Sequence, residues 1–350
     1  MNQQWSGFAA RPGARSHFSG ALLVGWAVLV SIVGLMSVPV AGQSTKTAAA
    51  WKAPRTSWGD PDIQGNFTNL WETGTPLERP DQFAGRRLED IKGQELIDLR
   101  KAIQENTTSS SLNEPVRGPR EVWLDAFKHE KGSVAWLVVD PPDGKIPPLT
   151  PAAQQKRAAI AQARRDSGRG PYDSPEDLGE YQRCISRGLP GSMMPTLYGN
   201  SYHIVQSPGF VAIRYEMIHE TRIIPLDKRP HLGPGLRSYM GDAVGHWEGD
   251  TLVVETRNFK DETAFRGANG ATLRLVERFT RVAPDKVKWA VTVDDPTTWT
   301  RPWTFSMPLT MDDQEQLFEY ACHEANYNMT NMLSGARAEE RAAADAARKK

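Results

Sequence analysis

Hydrophobic and polar residues alternate with a period of two over much of the second half of the chain. In the clearest run, Val287, Trp289, Val291 and Val293 lie between polar or small residues, and side chains two positions apart share one face of a strand. Glycine, proline and aspartate separate such runs, so the pattern predicts about eight short antiparallel strands in a mainly-β barrel or sandwich. The runs, of which 245–254 is a hairpin, span residues 201–206, 211–219, 221–226, 245–254, 272–282, 287–293, 303–309 and 317–324.

Helical patterns occupy a few peripheral segments. Apolar residues recur at helical spacing over residues 87–104, which predicts an amphipathic helix. Thr150 before Pro151 supplies a capping hydroxyl and a proline at the first helical position, so another helix is expected from there. The expected organisation is a leader (1–42), a linker with an extended arm and one helix (43–120), a β-rich domain (121–333) and an alanine-rich C-terminal helix or tail (334–350).

The N-terminus has the pattern of a secretory signal peptide. Arg11 and Arg15 precede an uncharged apolar run over residues 21–36, and small residues follow at 40–42. Cleavage near residue 42 predicts a mature protein in the periplasm or outside the cell. The alternative is an uncleaved inner-membrane anchor through residues 20–41, a stretch long enough to span a bilayer. Contact with a membrane is expected only in that second case.

Export changes the interpretation of the cysteines. Cys184 and Cys322 are the only two in the chain, and neither belongs to a CxxC motif. Outside the cytosol an even pair of cysteines is normally a disulfide, so we predict that these two are bonded. A reactive thiol is the alternative.

Charge and motifs exclude several classes of function. The chain has 42 basic and 42 acidic residues, a formal charge of zero, whereas nucleic-acid surfaces need a clustered basic excess. A GxSxG nucleophile motif, an HExxH zinc motif and a glycine-rich phosphate loop are all missing from the sequence. We therefore predict no cofactor and no nucleic-acid partner, and a small molecule as the expected ligand if there is one.

His219 is the candidate catalytic residue. Period-two spacing places it on the same strand face as four apolar or aromatic residues, which should meet the core or a cavity. An imidazole there has a pKa near neutrality and can act as a general base. The simpler interpretation is a packed histidine with one hydrogen bond. The other members of that face are Val211, Ile213, Tyr215 and Met217.

Aromatic residues supply the candidate ligand contacts. Tyr215 and Trp289 are expected to line a site inside the barrel or a cleft. Strand parity places Trp299, Arg301 and Trp303 on one face, where a guanidinium between two indoles can form a stacked cation–π platform for a sugar or aromatic ligand. A plain packed cluster is the alternative.

No metal site is predicted, because nothing in the sequence fixes the distances between the histidines. Four of them, however, fall in or near predicted strands and could converge inside a barrel, where imidazole binds several transition metals. The four are His203, His219, His246 and His323.

Several sequence blocks resemble those of a family of exported bacterial proteins frequent in acidobacteria and other soil bacteria. The resemblance covers residues from about 55 to 340. It implies export and a bacterial source, but the family has no established activity, so it implies no reaction, cofactor or catalytic residue. The blocks include Asp62-Ile-Gln-Gly-Asn-Phe67, Thr75-Pro-Leu-Glu-Arg-Pro80, Val139-Asp-Pro-Pro-Asp-Gly144, Gly245-His-Trp-Glu-Gly-Asp250, Asp295-Pro-Thr-Thr-Trp-Thr-Arg-Pro-Trp303 and Glu319-Tyr-Ala-Cys-His-Glu324.

The sequence leaves two functional hypotheses open. The first is an exported small-molecule enzyme or binder with its site inside a β-barrel or cleft. The second is an envelope-associated structural or interaction protein without a catalytic site. An open pocket with convergent polar side chains favours the first, and a solidly packed barrel favours the second.

Overall fold

The computed structural model describes residues 51–112, 132–170, 172–196, 198–312, 314, 317–324 and 326–349. The predicted leader, its cleavage site and the alternative anchor all lie outside these residues. In the part of the chain that is described, no helix combines the length and the apolar character needed to cross a bilayer.

The alternating segments form one antiparallel sheet of ten strands, which curves into a nearly closed barrel. The predicted mainly-β antiparallel fold is confirmed. The order across the sheet is β5-β4-β3-β1-β10-β9-β8-β7-β6, and β2 pairs with β10 beside this path. The strands are β1 (Gly65–Thr68), β2 (Val138–Asp140), β3 (Ser201–Ser207), β4 (Phe210–Tyr215), β5 (Thr221–Pro225), β6 (Asp242–Glu248), β7 (Thr251–Arg257), β8 (Arg274–Ala283), β9 (Lys286–Asp294) and β10 (Trp303–Met311).

The two ends of the sheet come together at β5 and β6. Gly245 in β6 faces Ile224 in β5 so closely that a Cβ added to the glycine would lie 2.7 Å from Ile224 Cγ2. Carbon atoms pack at about 3.5–4.0 Å, so any larger residue here would force the neighbouring side chains to shift. The close contact between the first and last strands of the path is what makes the barrel nearly closed.

A strand from the predicted N-terminal arm lies in the middle of the sheet. Phe67 in β1 is opposite Tyr202 of β3 on one side and Met311 of β10 on the other. The segment 43–120 therefore contributes more to the barrel than the expected linker, arm and helix, because β1 joins the two halves of the sheet.

In the described ranges, the α-helices lie outside the sheet. They are α1 (Gln94–Leu112), α2 (Pro151–Asp166) and α3 (Tyr327–Arg348). Thr150 Oγ1 accepts a hydrogen bond from the backbone N–H of Ala153 at 3.1 Å, which confirms the predicted start of α2. Helix α3 begins before residue 334, where the C-terminal helix or tail was expected.

The predicted disulfide is present, and it helps to explain why one predicted strand does not form. Cys184 and Cys322 are bonded, with their Cα atoms 5.6 Å apart, so the predicted pairing is confirmed. Residues 317–324, predicted as a strand, adopt irregular structure ending in a turn. The disulfide ties this segment to the loop around Cys184, while β1 takes the place beside β10 that another strand would need.

Candidate functional site

The barrel interior is filled with aromatic side chains. The ring of Trp289 lies 6.4 Å from that of Phe279 and 5.6 Å from that of Phe305, between centroids. Tyr202 and Tyr215 meet edge to face at 6.0 Å. These five side chains are each 0% exposed, so none borders a space that a water molecule can enter. Tyr215 and Trp289 thus lie in packed core, and a ligand-binding role for them stays a prediction.

A buried ion pair crosses this interior. Arg222 in β5 donates hydrogen bonds to both carboxylate oxygens of Glu277 in β8, and Nη2 lies 3.1 Å from Oε1. Trp289 Nε1 donates to the same Oε1 at 3.2 Å. Burial alone would lower the pKa of Arg222, but the nearby carboxylate raises it, so the guanidinium stays charged. The pair links two strands that are not neighbours in the sheet.

His219 does not share the inward face of β4. The strand ends at Tyr215, and Met217–His219 form a short 3-10 turn in which Ile218 and His219 have positive φ angles of 61° and 46°. The predicted face was therefore correct as far as Tyr215 and wrong beyond it, because the chain turns in the left-handed region. The ring of His219 is exposed, and its Nδ1 lies 2.9 Å from the carbonyl oxygen of Tyr320. A catalytic role for His219 stays a prediction.

The predicted Trp–Arg–Trp platform does not form on one strand face. Trp299 and Trp303 are buried and meet edge to face at 5.7 Å. Arg301 is exposed, and its Nη2 lies 3.0 Å from Asp140 Oδ1. The parity argument fails because residues 296–298 form a turn, Trp299 lies in an isolated bridge with Leu149, and β10 begins only at Trp303. Asp295 organises this turn by accepting the backbone N–H of Thr297 at 3.0 Å.

The four strand histidines do not converge. His203, His246 and His323 are exposed like His219, and His246 Nε2 lies 3.1 Å from Glu248 Oε1. Among the described residues, no three histidine, cysteine, aspartate or glutamate side chains are grouped so that they could hold a metal ion.

An open cavity of about 810 Å³ lies instead beside the disulfide. We call it the tyrosine groove, because Tyr181, Tyr198 and Tyr320 all line it. The rings of Tyr198 and Tyr320 stack at 6.2 Å, and their hydroxyl oxygens are 3.5 Å apart. The rest of the lining is Gln182, Ala321, Cys322, Glu324, Asn326, Asn328, Met329, Asn331 and Met332.

Covalent and polar contacts hold the walls of the tyrosine groove together. The disulfide joins the loop that carries Tyr181 to the segment that carries Tyr320. Asn326, just before α3, donates to the carbonyl oxygen of Gln182 at 3.3 Å. The start of α3 is thereby fixed against the same loop, and a groove held in this way needs little reorganisation to bind a ligand.

The hydroxyls of Tyr181 and Tyr320 are protonated at neutral pH. Burial, followed by interaction with Tyr198, raises the pKa of Tyr181 to about 12. The same two causes raise the pKa of Tyr320. Both hydroxyls can therefore donate or accept a hydrogen bond, and Glu324 is the one acidic or basic residue in the lining.

Two smaller cavities continue from the tyrosine groove along the surface, one after the other. One, of about 350 Å³, shares Tyr181 and Gln182 with the groove. The other, of about 450 Å³, shares Arg266 with the first. A series of surface depressions therefore runs from the disulfide to Trp299, which lines the last cavity.

A half-buried acid lies behind the 350 Å³ cavity. Burial raises the pKa of Glu220, and its Oε2 accepts a hydrogen bond from Ser186 Oγ at 3.0 Å. Ser186 itself is almost fully buried. Ser186 also lines the cavity, but its hydroxyl is already hydrogen-bonded to Glu220, so we interpret the pair as structural.

Sequence reasoning missed the groove, and comparisons with known proteins do not assign it. No family model matches the chain, and no curated protein matches it. Among solved structures, a mutant of the fluorescent protein UnaG is similar over 38% of this chain and 86% of its own, with 13% identity and a TM-score of 0.21. A likeness this slight carries no argument about function, which leaves the geometry of the groove as the guide to its ligand.

Proposed function

We propose that this protein is an exported small-molecule binder and that its site is the tyrosine groove, not the barrel interior. The observation that carries the proposal is the convergence of Tyr181, Tyr198 and Tyr320 on one open cavity of about 810 Å³. Ligand sites in proteins typically measure about 300–1,000 Å³ and combine aromatic walls with a few polar groups. Export is supported by the disulfide, since such bonds persist in oxidising compartments.

The chemistry of the lining favours an uncharged ligand with hydroxyl groups, such as a sugar. Amide side chains at positions 182, 326, 328 and 331 offer both donors and acceptors. The tyrosines add neutral hydroxyls and ring surface, and Tyr198 is 39% exposed. A single carboxylate, that of Glu324, leaves no strong field to attract or hold an anion or a cation.

Calorimetric titration with short oligomers of glucose and of N-acetylglucosamine tests the proposal. We expect binding in the micromolar to millimolar range, and a loss of about tenfold or more for Tyr320→Ala, because that variant removes both ring contact and a hydroxyl. Tyr320→Phe keeps the ring and separates the two contributions.

Tyr327→Ala is the matched control, because this tyrosine is 69% exposed at the start of α3 and does not line the groove. Unchanged binding in that variant is expected. No binding of any neutral oligosaccharide up to about 10 mM would overturn the ligand class. Equal affinity in Tyr320→Ala and the parent would place the binding site outside the tyrosine groove.

A further inference from the structure

The cavity of about 450 Å³ at the far end of the surface depressions has a different chemistry from the tyrosine groove. We call it the arginine pocket. Its charged residues are Arg157, Arg266 and Glu78, and its other walls are apolar. These walls are Ile146, Pro147, Pro148, Leu149 and Trp299.

The apolar side of the arginine pocket is rigid. Trp299 is 3% exposed and pairs with Leu149 in an isolated antiparallel bridge. On either side of this bridge the backbone N–H of Thr300 donates to Pro148 O and that of Thr150 donates to Thr298 O, both at 3.0 Å. Two consecutive prolines and two backbone hydrogen bonds therefore fix this wall before any ligand arrives.

Two guanidinium groups from different elements face this wall. Arg157 projects from α2, and its Nη2 donates to the backbone carbonyl of Arg266 at 2.7 Å. That bond engages one of five N–H donors on Arg157. Among the described residues, neither arginine forms an ion pair with a carboxylate. Most of their donors thus remain available to a ligand.

The backbone at Arg266 supports a functional role for its side chain. This residue has φ 55° and ψ 31°, in the left-handed region. Glycine adopts this conformation without steric cost, whereas the Cβ atom of any other residue makes it less favourable. An arginine held there, in a pocket that contains a second arginine, fits a position where the guanidinium is needed for binding.

Charge and shape together define the ligand. Two guanidinium groups and the Glu78 carboxylate leave the pocket with a net charge of +1, and Glu78 Oε1 is engaged by the backbone N–H of Ile146 at 2.6 Å. A monoanionic carboxylate matches both this charge and the fork geometry of arginine. The indole and proline walls suit a flat apolar ring. We propose that the arginine pocket binds a small aromatic carboxylate, independently of the tyrosine groove.

Calorimetric titration of the protein with benzoate tests this proposal. We expect saturable binding that weakens at high salt, and a loss of about tenfold or more in Arg157→Ala and in Arg266→Gly, because each removes a charged donor. Glycine is chosen at position 266 because it tolerates the left-handed backbone, so the fold should be retained. Arg164→Ala on the same helix α2 does not line the pocket and should bind benzoate like the parent.

Inorganic phosphate and benzyl alcohol complete the design. Weak or undetectable binding of both is expected, since one is a multivalent anion without a ring and the other a ring without a charge. Phosphate binding as tight as that of benzoate would overturn the carboxylate assignment. Absence of benzoate binding at about 10 mM, or equal affinity in the parent and both pocket variants, would overturn the site itself. Because Tyr320→Ala should leave benzoate affinity unchanged, failure of the sugar proposal does not affect this one.

Discussion

Replacing Glu277 by glutamine tests whether the buried ion pair holds the barrel together. Its carboxylate accepts hydrogen bonds from Arg222 and from Trp289 Nε1, and the side chains of Arg222 and Glu277 are 4% and 0% exposed. Glutamine has nearly the same shape and keeps one acceptor oxygen. The change therefore removes little volume, but it leaves a guanidinium in the core without its counter-charge.

The expected cost follows from the burial of both groups. Removing one partner of a buried pair typically destabilises a protein by about 3–5 kcal/mol, because the other charge is left without compensation. Domains have unfolding free energies of about 5–15 kcal/mol, so Glu277→Gln should lose a large share of the total. Replacing both partners, as Arg222→Met with Glu277→Leu, leaves no buried charge and should come within about 2 kcal/mol of the parent.

Guanidinium chloride unfolding, followed by tryptophan fluorescence and circular dichroism, measures these differences. Glu248→Gln is the matched control, because Glu248 also bonds an arginine, Arg278, at 2.6 Å, but on the exposed surface. That variant should cost less than about 1 kcal/mol. A loss of unfolding free energy below about 1 kcal/mol in Glu277→Gln would refute the reasoning. So would an Arg222→Met, Glu277→Leu double variant that is no more stable than Glu277→Gln.

Three further changes test the fold and the groove. Asp295→Asn should cost about 1–3 kcal/mol at pH 7 in chemical unfolding. Burial opposes ionisation of Asp295, but the hydrogen bonds that its carboxylate accepts outweigh burial and lower its pKa. Its contribution to the unfolding free energy is therefore present above the pKa of the unfolded state. That contribution is lost as the pH falls through the pKa of the folded state. The stability gap between parent and variant should therefore shrink in acid. Gly245→Ala should cost about 1–3 kcal/mol by thermal melting, because its Cβ would meet Ile224. Serine at both Cys184 and Cys322 should lower the unfolding free energy by about 2–4 kcal/mol, and reduction of the parent should have the same effect.

The strands were predictable wherever alternation continues without a break. Parity places Trp289 on the inward face, and the number of such runs predicts the barrel. The same alternation also indicates the buried ion pair, which the sequence analysis did not predict. Arg222 lies two residues before Ile224, and Glu277 lies between Leu275 and Phe279, so both charges occupy inward positions. Opposite charges on the apolar faces of two strands indicate a buried ion pair. The alternation does not show which strands bring the two charges together.

The errors concern places where a strand ends. Alternation continues past Tyr215 and so assigns His219 to β4, and nothing in the sequence shows that Ile218 turns into the left-handed region, which isoleucine rarely adopts. Before Trp299, in contrast, the sequence does show that a strand ends, because Asp295-Pro296 is a recognisable turn signal. Parity is valid only from Trp303, where β10 begins, and Trp299 belongs to a separate isolated bridge.

The predicted disulfide also predicts part of the tyrosine groove. Tyr181 lies three residues before Cys184, and Tyr320 lies two residues before Cys322. Once these cysteines are predicted to be bonded, their Cα atoms must lie within about 7 Å, so the two segments that carry the tyrosines are brought together. Periodicity could not show this, because both lie in irregular segments. Tyr198 has no such link to the disulfide, and its place beside Tyr320 depends on packing that only the folded chain shows. The disulfide and the groove are therefore parts of one structure, and a variant without the bond should lose ligand affinity before it loses the barrel.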